Sequence, residues 1–89
     1  MFKVVKIKED VSRRWEGRLY WVFMRDLLKN RSCRAYVGDK FRNWKRWERI
    51  IRKWEEGEEV VLGGLVYKDE KRGIIDGDSL VFISNGRVG

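Results

Sequence analysis

The sequence predicts a mainly β domain with one helix: five strands rolled into a small barrel, the helix lying between strands three and four. Three observations predict it. Five stretches are rich in β-branched and aromatic residues and are separated by polar or glycine-containing turns. A single stretch, Asn43–Glu56, has helical periodicity instead. Gly63-Gly64 falls inside the fourth β stretch, where a sheet that curls sharply needs a bend or bulge.

The first strand, Phe2–Lys8, alternates and is read with Val5 and Ile7 on the core side and Lys6 and Lys8 outside. Glu9–Gly17 is a loop with Arg13, Arg14 and Trp15 at its tip. Two readings fit Trp15: an exposed stacking group between cations, or a lid over one end of the core. The second strand, inside the Arg18–Val37 hairpin, is apolar on both faces. Tyr20, Val22 and Met24 share one side, and Leu19, Trp21 and Phe23 share the other, followed by Arg25. Lys29-Asn30-Arg31 forms the turn, since asparagine tolerates the left-handed conformation of a tight reversal. In the third strand, Cys33, Ala35 and Val37 alternate with Arg34 and Tyr36. Paired, the two strands present Trp21, Phe23, Arg34 and Tyr36 on one surface, rings and a cation that suit bases and phosphates.

Gly38-Asp39 breaks the chain before the helix. Trp44, Trp47, Ile50, Ile51 and Trp54 form its apolar stripe, with Asn43 as N-cap and Gly57 as C-terminal cap. This stripe is read as the plug of the barrel. The opposite face carries Arg42, Lys45, Arg46, Arg49, Arg52 and Lys53, either a solvated face or a second nucleic-acid contact. Glu48 is within helical reach of Lys45 and Arg52. The fourth strand is Glu58–Tyr67, with Val60, Leu62 and Val66 on one face. Lys68–Gly73 is a hairpin loop. The last strand runs from Ile74 to Ile83, interrupted by Asp76-Gly77-Asp78. The expected core is Val5, Ile7, Tyr20, Val22, Met24, Cys33, Ala35, Val37, Trp47, Ile51, Trp54, Val60, Leu62, Ile75 and Leu80. Residues 1–84 are expected to form one domain and residues 85–89 a frayed tail.

The net charge is +7, unevenly placed: residues 1–54 hold seventeen basic and six acidic side chains, residues 55–89 four and eight. A localised basic excess points to nucleic acid, while 39% charged residues also fit a heavily solvated, thermophilic surface. No apolar run is long enough to span a membrane, and lysines interrupt the start where a secretory signal would be apolar. A single cysteine suits a reducing cytoplasm, or the nucleoid for a DNA binder. With no histidine and one cysteine, no metal, cofactor or catalytic centre is expected. Asp76 and Asp78 read as turn residues rather than metal ligands.

Three stretches carry a resemblance to a known family. WEEGEEVVLGGLVY is similar to the segment joining helix end, glycine and fourth strand in OB-fold domains of the replication protein A-like and tRNA-anticodon types. RGIIDGDSLVFIS resembles their fifth strand, and Tyr20–Asp26 their second, including the aspartate at its end. The resemblance covers residues 2–84 and implies a five-stranded Greek-key barrel whose second and third strands and flanking loops bind oligonucleotides. LLKNRS replaces the short glycine-containing turn usual after the second strand, and a slip of one residue there would send Arg34 and Tyr36 inward.

The resemblance implies non-catalytic binding of single-stranded nucleic acid, DNA ahead of RNA, as in replication or repair. Trp21, Phe23 and Tyr36 would stack on bases, and Arg25 and Arg34 would contact phosphates or cover rings. Arg13, Arg14 and Trp15 would clamp from one loop, and Lys68, Lys71 and Arg72 from the other. The competing reading makes the same aromatic face a protein-interaction or homo-oligomer surface. A runner-up architecture, an SH3-like barrel binding duplex DNA, is disfavoured by the long helix.

Overall fold

The computed structural model describes residues 1–11 and 16–84. Its strands are β1 (Phe2–Glu9), β2 (Leu19–Asp26), β3 (Arg31–Gly38), β4 (Val61–Gly63), β5 (Tyr67–Asp69), β6 (Ile74–Ile75) and β7 (Phe82–Ile83), with helix α1 (Trp44–Glu55) between β3 and β4. They form one curled half-barrel sheet in the order β5-β6-β3-β2-β1-β4-β7. All neighbours are antiparallel except β3 and β6, which are parallel. No described helix is long and apolar enough to cross a membrane.

The strand count corrects the expected five to seven, because each of the last two expected strands is broken in two. The first break, between β4 and β5, is at Gly64, whose φ of +83° is left-handed. A Cβ there would lie 2.6 Å from the Leu80 carbonyl oxygen, so the close approach of the two segments requires glycine. Val66 consequently leaves the face expected of it and is exposed, while Leu65 is buried. The second break, between β6 and β7, is the Asp76–Ser79 turn. The Asp76 carbonyl accepts from the Ser79 amide, and Asp76 Oδ1 accepts from the Asp78 amide.

The helix compensates the ladder bonds missing at that second break. Asn43 Nδ2 donates to the carbonyls of Gly77 (3.1 Å) and Ser79 (2.7 Å), Trp47 Nε1 to Gly77 (2.8 Å) and Arg46 Nη1 to Val81 (3.1 Å). Asn43 precedes the helix but its side chain does not cap it, which corrects the sequence reading: the amide is committed to the 77–79 turn. At the other end, Gly57 is left-handed at φ +86°, and its amide and that of Glu58 bond to the carbonyls of Trp54 and Lys53. This is the Schellman pattern that a glycine here predicts. Glu48 reaches Arg18 at 3.7 Å.

The helix buries Trp47, Ile50 and Ile51 against the concave side of the sheet. Trp44 stacks on Tyr20 at the rim (6.0 Å, 17°). Of the expected core, Val22, Met24, Cys33, Ala35, Val37, Trp47, Ile51, Val60, Leu62 and Ile75 are buried, and Ile7, Tyr20 and Trp54 pack against it half-exposed. Val5 and Leu80 are corrections, at 51% and 62% exposed. A β-bulge between Val4 and Lys6 displaces Val5 from the pairing, so Phe2 and Val4 join the core in its place. Leu80 lies in the broken last strand, where Val81 faces in. Leu19, Ile50 and Leu65 complete the buried set.

Candidate nucleic-acid interface

Strand pairing places nine outward residues in three rows. Lys8, Trp21 and Tyr36 form one, Lys6, Phe23 and Arg34 the next, and Lys3, Arg25 and Ser32 the third. The register of the hairpin is set at its turn. Asp26 pairs with Arg31 across a four-residue reversal, and Asn30 takes the left-handed φ of +53°. Arg34 and Tyr36 therefore stay on the face of Trp21 and Phe23.

The face is internally braced. The Trp21 and Tyr36 rings meet at 4.3 Å and 57°, and the Arg34 guanidinium lies 5.7 Å from the Trp21 ring centre. The Tyr36 hydroxyl donates to Asp10 Oδ2 at 2.6 Å, which pushes the phenol up to about 12. Arg25 donates to the backbone oxygen of Asn30 and, at 2.6 Å, to its Oδ1, so this cation braces the hairpin turn. A groove of about 450 Å³ runs between Lys8–Val11 and the side chains of Trp21, Phe23 and Arg34.

The second expected clamp, on residues 68–73, is attached through β6 to the far side of β3. Lys68, Lys71 and Arg72 are exposed, and Arg72 pairs with Asp69 at 3.6 Å. Arg13, Arg14 and Trp15 lie outside the described residues. On the basic helix face, Arg46 is tied to Val81 and Lys53 pairs with Glu58 at 3.8 Å.

Three lysines outside the sequence-predicted set lie on this face: Lys3, Lys6 and Lys8. Alternation after the bulge keeps Lys6 and Lys8 outward, and the Val5 bulge brings Lys3 to the same side; strict alternation would separate Lys3 from the other two. The sequence signal for it is weak, a lysine pattern whose period slips by one after Val4.

No group of three or more histidine, cysteine, aspartate or glutamate side chains that would hold a metal occurs among the described residues. Cys33 is buried, and burial pushes its thiol pKa up, which keeps it protonated. Asp26 is a buried carboxylate, 3% exposed, but its bonds go to the hairpin turn and to Tyr67. Compared with known proteins, the chain matches no family model, no curated protein and no solved structure.

Proposed function

We propose that this chain is a non-catalytic, single-stranded nucleic-acid-binding domain of the OB type, with DNA ahead of RNA as its ligand. One observation carries the reading: Trp21 and Phe23 stand side by side on one sheet face, flanked by Lys6, Lys8 and Arg34. Ring faces for bases and cations for phosphates are the two requirements of single-strand binding. Their spacing favours a single strand over a duplex. Residues two apart on a strand are separated by about 6.8 Å, roughly twice the 3.4 Å rise per base of a duplex strand. Bases seated on both rings are therefore unstacked from each other. The barrel assignment is supported by β1 pairing with both β2 and β4, by the parallel β3–β6 pair, and by the helix between strands three and four.

The test is a fluorescence titration with a short oligo-dT, its RNA counterpart and a duplex, each at two salt concentrations. Tryptophan emission is expected to quench with the single strands, more weakly as salt rises. The Trp21→Ala, Phe23→Ala double variant is expected to keep its circular dichroism spectrum and lose tight binding, each stack being worth about 1–3 kcal/mol. Absence of quenching together with concentration-dependent self-association would transfer the face to a protein contact.

A further inference from the structure

Resting on that reading, we infer that the nucleic-acid strand runs along β1 and β2, with its phosphates on Lys6 and Lys8 and its bases on Trp21 and Phe23. The alternative path crosses β2 and β3 toward the 68–72 loop. The two kinds of contact are segregated by strand. On this face β1 contributes Lys3, Lys6 and Lys8, whereas β2 contributes Trp21 and Phe23. A strand crossing the sheet would meet a cation, a ring and a third group in turn; a strand following it meets a continuous edge of each.

The spacing agrees on both edges. Lys6 faces Phe23 and Lys8 faces Trp21, so one lysine accompanies each ring, at the same interval of about 6.8 Å. Among the described residues neither lysine has an ion-pair partner, while Lys3 pairs with Glu59 at 3.6 Å. Beyond Lys8 on the same strand face comes Asp10, whose carboxylate is held by the Tyr36 hydroxyl and ends the cationic edge.

The three arginines of the crossing path are otherwise placed, leaving it Lys68 and Lys71 in the loop. Arg25 is held by Asn30, Arg34 lies over Trp21, and Arg72 pairs with Asp69. The 68–72 loop lies beyond β6, three strand positions from β1, or about 14 Å. The bulge at Val5 adds Lys3 to the face that Lys6 and Lys8 hold by plain alternation.

The experiment compares salt slopes for oligo-dT binding by the wild type, a Lys6→Gln, Lys8→Gln variant and a Lys68→Gln, Lys71→Gln, Arg72→Gln variant. All five positions are exposed, and circular dichroism checks that both variants fold. Removing one phosphate neutralisation lowers the slope of log K against log salt by about 0.7, so the β1 variant is expected to fall by about 1.4 and the loop variant to match the wild type. An unchanged slope in the β1 variant, or an equal fall in the loop variant, overturns the path while binding by the wild type upholds the underlying reading. No binding by the wild type overturns both.

Discussion

The Tyr67 hydroxyl donates to Asp26 Oδ2 at 2.6 Å, joining the end of β2 to β5. The other carboxylate oxygen accepts the amides of Leu28 and Lys29, so Asp26 also shapes the turn that sets the β2–β3 register. The Tyr67 ring is covered by Lys29 and Arg31 at 5.0 and 5.7 Å and by the edge of Phe2. The alignment of the Trp21–Phe23 face thus depends on a buried carboxylate at the opposite end of the hairpin from Trp21.

Burial alone would raise the Asp26 carboxyl, but the hydrogen bonds from Tyr67 and the two amides outweigh it and hold it below its ordinary value of 3.8. A depressed carboxylate contributes stability that is present above that value and is lost as pH falls through the lower folded one. Asp26→Asn is expected to cost about 1–3 kcal/mol at neutral pH. Urea unfolding on acidification should show its difference from the wild type shrinking.

The phenols give the opposite sign. Burial first, then the bond to Asp26, pushes Tyr67 up, and the Asp10 bond pushes Tyr36 up to about 12 from an ordinary 10.0. Tyr20 is also raised, chiefly by burial. A raised phenol contributes stability that is present below pH 10 and lost as pH rises through the folded value. Absorbance titration of the folded protein is expected to show all three tyrosines ionising above 10, and Tyr36→Phe to remove the component near 12.

Gly77 is a meeting point of helix and sheet. A Cβ at this position would lie 2.2 Å from the Tyr36 carbonyl oxygen, a backbone atom of β3. Gly77→Ala is expected to cost about 1–3 kcal/mol in denaturant unfolding, as overpacking does. Trp47→Phe removes the buried indole donor to the Gly77 carbonyl, with an expected loss of about 1–2 kcal/mol, since Asn43 still donates there.

The bulge makes a test of neighbouring valines. Val4→Ala, in the core, is expected to cost about 2 kcal/mol. Val5→Thr, on the displaced residue, should stay within about 0.5 kcal/mol of wild type. Deleting Val5 leaves the Val4–Met24 and Lys6–Phe23 pairs in place, so the shortened chain is expected to fold, as read by its amide spectrum.

Much of the architecture is legible along the chain. The helix follows from the spacing of Trp44, Trp47, Ile50, Ile51 and Trp54, its end from Gly57, and the hairpin from Asn30. The faces of β2 and β3 are readable because both strands alternate without interruption. Lys6 and Lys8 are read correctly as outward, but period-2 reading puts Lys3 on the opposite side and Phe2 and Val4 outside, because it assumes an unbroken strand and one bulged residue reverses the part before it. Asn43 looks like a cap because capping is a local signal, whereas its actual partners lie more than thirty residues away.

Local pattern is therefore enough to specify a β-rich chain with one amphipathic helix and an aromatic, basic hairpin, since side-chain type and period are properties of neighbouring residues. Three features come from the folded arrangement instead: the last two strands break, Asn43 and the helix supply hydrogen bonds at the second break, and lysines of β1 stand beside Trp21 and Phe23. They depend on register and on contacts between distant segments, which no local pattern encodes.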